Sequence, residues 1–266
     1  MKRLFGPIGL LTASVLYGFL YLPLFVIIAL SFNASKYGTS WQGLSLQWYR
    51  SALSNELIHS AFKNTLVLAI CSTLISTTLG SFLGYGLARH SFKGKTFVSG
   101  LMLLPVAVPD IVMAVSLLLF YSLMRQWTGF FQLGVSTMIL AHVTFQIPFV
   151  AAVVQARVHG LEPALEEAAY DLGATRWQRL WHVTLPLLRP GIIAGALLAF
   201  TLSLDDFVVS FFTSGAGSTT LPIYIYSSVK RGVTAEIHAL STLIIFVAVL
   251  ATIALIFFQR KTGKKS

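Results

Sequence analysis

The sequence predicts an all-α polytopic membrane protein: six transmembrane helices, both termini cytoplasmic, and a short helical loop between spans 4 and 5. Three observations predict it. First, 56% of the 266 residues are hydrophobic and only 11% are charged. An ordinary soluble domain is about a quarter charged, so water is the wrong solvent for this surface and lipid the right one. Second, six apolar stretches reach the roughly 20 residues that cross a bilayer as a helix. Third, the basic residues divide unevenly between the connections.

The six stretches fall near Gly9–Phe32, Asn64–Ala88, Phe97–Met124, Gly134–Ala156, Gly191–Ser214 and Ile237–Phe258. The first follows Met1-Lys2-Arg3. Its apolar run exceeds the roughly 7–15 residues of a secretory signal, so it reads as an uncleaved span. One set of connections carries Lys2, Arg3, Arg89, Lys93, Lys95, Arg157, Arg176, Arg179, Arg189, Arg260, Lys261, Lys264 and Lys265. The other carries only Lys36, Arg50, Lys63, Arg125, Lys230 and Arg231. The richer set belongs in the cytoplasm, which places both termini inside and agrees with an even number of spans. Residues 1–266 read as one membrane domain without an internal repeat.

The net charge of +10 does not imply nucleic acid, because the basic residues cluster between apolar runs as membrane topology requires. The single cysteine, Cys71, excludes an intrachain disulfide and reads as a small buried residue. The sequon Asn33-Ala34-Ser35 carries no weight. The histidines His59, His90, His142, His159, His182 and His238 are scattered and read as packing residues. No phosphate-binding loop, nucleophile elbow or HExxH zinc pattern occurs. The chain is therefore read as non-enzymatic.

Two spans carry small residues at every fourth position: Ser72, Ser76, Gly80, Gly84 and Ala88, then Gly191, Gly195, Ala199 and Ser203. Such stripes allow close helix approach in lipid, within the bundle or against a second membrane chain. The third span is interrupted at Pro105-Val106-Ala107-Val108-Pro109-Asp110. Pro109 removes a helix hydrogen bond, and broken backbone at membrane depth survives where protein or a watery cavity satisfies it.

The inside loop 157–189 is patterned rather than random. Pro163 suits a first helical position, and Glu162, Glu166 and Glu167 suit a helix N-terminus. Leu165, Ala168, Ala169 and Leu172 form one apolar face. Gly173 suits a left-handed stop. Thr175 and Gln178 form a capping-box pattern for a second short helix. That helix presents Trp177, Leu180 and Trp181 before Pro186 and Pro190 lead into the fifth span.

This loop resembles the EAA loop of ABC-importer permeases. Glu167-Ala168-Ala169, Gly173, Val183, Leu185 and Pro186 match that family's pattern, with Val183 where isoleucine is usual. The resemblance implies a MetI-like fold and a coupling helix that docks into a cleft on a separate ATPase dimer. Glu166, Glu167, Ala168, Ala169, Asp171, Leu172, Gly173 and Pro186 are the residues it assigns to coupling. ATP and Mg would bind the partner ATPase, and no cofactor is expected in this chain.

Three acids lie at membrane depth: Asp110, Asp205 and Asp206. An aspartate at a helix centre costs about 2.5–3.5 kcal/mol on insertion scales, so it faces a polar path or a basic partner. No lysine or arginine lies mid-span to serve as that partner. Nearly the whole chain also resembles the second permease of spermidine/putrescine importers. The likeness is carried by Ser31-Phe32-Asn33, Trp41-Gln42-Gly43, Pro109 to Ala114, Phe200 to Ser210, Leu221 to Ser227 and Val229-Lys230. It implies a heterodimer with a homologous permease in a bacterial inner membrane, served by an extracytoplasmic polyamine-binding protein. Asp110, Asp205 and Asp206 are then candidate path residues, with Tyr224 and Tyr226 as cation–π contacts near the outer mouth. The outer segments Asn33–Lys63 and Gly215–Glu236 are expected to face the binding protein. Another solute on the same fold, or an ion-coupled secondary transporter, remains as an alternative.

Overall fold

The computed structural model describes residues 7–38, 40–162 and 164–262. Pro163 and the terminal basic residues Lys2, Arg3, Lys264 and Lys265 lie outside them. The described chain is helical, with one isolated strand-like bridge between Asn33 and Leu44. In order the elements are α1 (Pro7–Ser31), α2 (Gln47–Ser54), α3 (Glu56–Arg89), α4 (Lys95–Ala107), α5 (Asp110–Thr128) and α6 (Val135–His159). There follow α7 (Ala164–Asp171), α8 (Arg176–Arg179), a π-helical turn (Leu180–Thr184), α9 (Leu185–Asp205), α10 (Val208–Thr213), α11 (Leu221–Arg231) and α12 (Ala235–Thr262).

Among the described residues, five segments are long and apolar enough to cross a membrane: Gly9–Ser31, Glu56–Arg89, Asp110–Thr128, Val135–His159 and Arg176–Asp205. The third expected span is two helices. The α4 helix ends at Ala107, Val108 is extended, and α5 starts at Asp110 behind Pro109. This is the expected proline break. The fifth expected span differs from the expectation at both ends. Below, it does not start after Pro190: helix runs without a gap from Arg176 through the π turn to Asp205. Pro186 lacks the N–H that would bond His182, and the widened turn absorbs that loss, with Leu185 N–H donating to Leu180 O. Above, it does not reach Ser214, because the chain turns extended at Asp206 before α10 begins.

Two compact units appear, residues 1–59 with 224–266, and residues 60–223. In the first, α1 and α2 both pack on α12. The α1 window is apolar and none of it is buried within the chain, as suits a helix facing lipid. Asn33 closes the following loop. Its side chain, 1% exposed, donates to Ser40 O at 2.9 Å and accepts from Gln42 N at 2.9 Å. Trp48 Nε1 donates to Asn33 O at 3.0 Å. These bonds give the Asn33 and Trp41-Gln42-Gly43 stretches a local structural role.

The second unit is organised on α6, which is apolar all round and buried over most of its length, the pattern of a helix enclosed by others. Both small-residue stripes pack against it. A Cβ at Gly80 would stand 2.7 Å from Val150 Cβ, and one at Gly84 would collide with Ala151 O. Across from them, a Cβ at Gly191 would stand 2.7 Å from Arg157 Cβ, and one at Gly195 would be 3.1 Å from Val150 Cγ1. The stripes therefore serve packing within the bundle, where dispersion at close range holds helices together in lipid. Val150, Val154, Val158, Leu188 and Ala199 form one core cluster. Ala114, Tyr121, Ala141, Phe145 and Val209 form another, which seats α10 on α5 and α6.

Candidate transport path and coupling surface

Asp110, Asp205 and Asp206 all sit at helix breaks. Asp110 is the first residue of α5 and is exposed. Asp205 is the last residue of α9 and is exposed. Asp206 occupies the turn between α9 and α10. Its Oδ1 accepts from Val209 N at 3.3 Å and its Oδ2 from Ser210 N at 2.7 Å. It thus satisfies the first free N–H groups of α10 in the manner of a helix cap. The last carbonyls of α9 end at the same turn, and a helix C-terminus carries partial negative charge that favours cations.

Asp206 has a partner that the sequence did not reveal. His142 Nε2 lies 3.3 Å from Asp206 Oδ2. The ring is fully buried, while the Asp206 side chain keeps 12% of its surface. His142 Nε2 also meets Ser210 Oγ at 3.0 Å, and Nδ1 meets Ser203 Oγ at 2.8 Å. The chain of contacts continues from Ser203 Oγ to Ser72 Oγ at 3.3 Å. Gln146 Nε2 donates to Ser72 Oγ at 3.2 Å and to Ala199 O at 3.1 Å, and its Oε1 accepts from Ser76 at 2.9 Å. His142 is therefore more than a packing residue. A signal for it existed: His142 and Gln146 are four apart, and so are Ser72 and Ser76, and Ala199 and Ser203. Each pair shares one helix face, and the three faces meet.

Tyr224 and Tyr226 belong to the other unit. Glu236 Oε1 there accepts from Ser51 Oγ and Asn55 Nδ2, both at 3.1 Å, and Asn55 Nδ2 reaches Tyr224 OH at 3.4 Å. Burial, then the Glu236 carboxylate, pushes the Tyr224 hydroxyl above its ordinary pKa. The Tyr226 ring carries Lys230 Nζ 4.8 Å from its centroid, so its cation–π face is engaged by a neighbour within α11.

The loop 157–189 forms two helices, α7 and α8, at a tight turn. Gly173 has φ +81°, the left-handed conformation that glycine adopts without penalty. Thr175 and Gln178 make both bonds of the capping box, at 3.3 and 2.8 Å. The expected apolar face is largely uncovered: Leu165 is 47% exposed and Leu172 89%, and Trp177 of α8 is 70% exposed. Glu167, Ala168, Asp171, Gly173 and Pro186 are also exposed, and Ala169 is half-buried. Glu167, Tyr170, Asp171 and Arg179 line a shallow groove beside them. Glu166 points the other way. It accepts from Tyr85 OH at 3.4 Å and Thr184 Oγ1 at 3.3 Å, and lies 3.8 Å from Arg89. It anchors α7 to the end of α3 and to the π turn. Among the described residues, no cluster of histidine, cysteine or acidic groups has the arrangement to hold a metal ion.

Comparison with known proteins identifies the family. Residues 76–264 match the family described as binding-protein-dependent transport system inner membrane component. The chain is 40% identical over 246 residues to the spermidine/putrescine transport system permease protein PotC of Escherichia coli strain K12, covering 92% of this chain and 90% of that one. It is 41% identical over 231 residues to the putrescine transport system permease protein PotI of the same strain, covering 86% and 82%. Among solved structures, a bacterial alginate ABC transporter in complex with an alginate pentasaccharide-bound periplasmic protein contains a chain of the same fold. That chain aligns with TM-score 0.73 and 23% identity over 94% of this chain and 91% of its own. The chain is thus a multi-pass membrane protein, and it belongs to the binding-protein-dependent transport family as an ABC-importer permease.

Proposed function

We propose that this permease forms, with a homologous sister permease, the membrane path for a polyamine such as spermidine or putrescine. ATP and Mg are bound and ATP is hydrolysed on a separate ATPase dimer, and an extracytoplasmic binding protein delivers the cargo. One observation carries the reading. The helix from Arg176 to Asp205 is unbroken, with coupling-loop residues at one end and the Asp205–Asp206 pair at the other. Displacement of the loop by the ATPases reaches the acidic break directly. The supporting chemistry is that of a flexible organic cation: carboxylates at helix breaks, helix C-termini nearby, and no lysine or arginine at membrane depth. The topology proposed is six spans with α12 as the sixth, both termini cytoplasmic, and α2 and α11 on the outer side facing the binding protein.

Radiolabelled polyamine uptake by the assembled complex tests the path. Losing one charged contact costs about 1.5–3 kcal/mol, so Asp205→Asn and Asp110→Asn are each expected to lower uptake roughly tenfold or more. Wild-type uptake in both variants contradicts the path. Gly173→Leu tests coupling, since a side chain at φ +81° is strained. Expected is ATP hydrolysis that continues without transport. Normal transport in that variant contradicts the coupling assignment.

A further inference from the structure

The buried contacts around Asp206 support one step more, which rests on the proposed path. We infer that His142 is the internal counter-cation of Asp206, and that an ammonium group of the cargo displaces its charge, releasing one proton as it arrives. A lone carboxylate at membrane depth requires a partner, and among the described residues no lysine or arginine forms an ion pair with Asp206. His142 is the ionisable group at bonding distance.

Hydrogen-bond accounting allows the ring either charge. Ala199 O can only accept, which orients the Gln146 amide with Nε2 toward both Ala199 and Ser72. Ser203 Oγ can accept from Nδ1–H, with its own hydrogen turned to Ser72 Oγ and the Ser72 hydrogen turned to Ala69 O, 3.4 Å away. On the other side of the ring, Nε2 lies 3.0 Å from Ser210 Oγ and 3.3 Å from Asp206 Oδ2. With a charged ring, Nε2–H is shared between these two oxygens. With a neutral ring, Ser210 O–H turns to donate to Nε2. One hydroxyl rotation serves either charge state and no heavy atom moves.

The exchange balances. In the empty path the ring is charged and paired with Asp206. When an ammonium group reaches the exposed edge of Asp206, two cations share one carboxylate and repel. The Nε2–H bond breaks, its electron pair stays on Nε2, and the proton passes by way of the Asp206 carboxylate, whose edge is exposed, to water. Ser210 O–H turns to donate to Nε2, while Nδ1–H keeps its bond to Ser203 Oγ. The surroundings contribute few other charges. Asp205 lies exposed one residue away, α5 brings Tyr121 to the cluster that holds Ala141 and Phe145, and α3 and α9 present serine hydroxyls. The charged residues of α4 and α5 are Lys95, Asp110 and Arg125, all at or near helix ends.

The test is putrescine uptake by the complete transporter in liposomes, measured from pH 5.5 to 8. The wild-type apparent KM is expected to rise several-fold toward low pH, because protons compete with cargo, with kcat changing less than twofold. His142→Gln keeps a donor for Asp206 without a titratable charge, and its KM is expected to be flatter across the range. The binding protein is common to both, so the difference between the two profiles reports the ring. A profile of His142→Gln identical to wild type overturns the inference. Asp206→Asn separates the two failures: wild-type uptake in Asp206→Asn sinks the path itself. Impaired Asp206→Asn with matching pH profiles sinks the counter-cation alone. If His142→Gln does not accumulate, the nitrogen-15 histidine spectrum of the wild-type complex decides. Putrescine is expected to move one ring from the charged to the neutral signature, and an unmoved spectrum overturns the inference.

Discussion

At the scale of single residues, the glycines of α3 separate into two kinds. Gly84 faces Ala151 at backbone contact, whereas nothing stands within 4 Å of a Cβ at Gly86. Gly84→Val therefore forces α3 off α6, and overpacking of this kind costs about 1–3 kcal/mol. Gly86→Ala adds only helix propensity, worth about 1 kcal/mol in the opposite direction. Thermal unfolding in detergent is expected to shift down for Gly84→Val and up for Gly86→Ala. Equal shifts would contradict the packing of the stripe on α6. Residue identity alone did not separate these glycines from one another, since both lie in the same apolar run. The four-residue spacing marked Gly84, because only that spacing keeps a residue on one helix face.

At the scale of elements, the short helix α7 is held by one carboxylate. Glu166 ties it to Arg89 and Tyr85 of α3 and to Thr184 of the π turn. Its Arg89 contact is at 3.8 Å and both side chains keep some exposure, so the attachment is worth about 1 kcal/mol. Glu166→Gln is expected to leave the protein folded while loosening α7. In the assembled transporter this raises ATP hydrolysis in the absence of cargo and lowers transport per ATP. An unchanged transport-to-hydrolysis ratio would show that the anchor is dispensable. The sequence placed this loop well, because capping box, glycine stop and apolar face are all local signals. It did not distinguish Glu166 from Glu167. The two differ only in which way a side chain points once α3 and α9 have packed, which is tertiary information. The α9–α10 break escaped for a related reason. No proline or glycine marks it, and the turn is held by Asp206 bonding back to α10.

At the scale of the whole molecule, hydropathy made membrane residence legible, because a lipid-facing chain cannot hide its apolar excess. The loop 157–189 made the family legible. The polar core of the 60–223 unit was only half legible. Its serines, His142 and Gln146 each look like an isolated polar residue in an apolar span, and only assembly of three helices shows them as one network. Such networks are costly when incomplete and specifying when complete.

The π turn at Leu180–Thr184 has a consequence for tolerated changes in chain length. A π turn holds one more residue than an α turn would, so the helix has already accommodated a surplus residue there. Removing His182 restores ordinary spacing and leaves the phase of both flanks nearly intact. Removing Leu198, higher in the same helix, rotates one flank against the other by about 100° and takes Ser203 away from His142. Length at the base of this helix is therefore elastic and length above it is not. Melting temperatures of the two single-residue deletions are expected to separate widely, with the upper deletion far less stable.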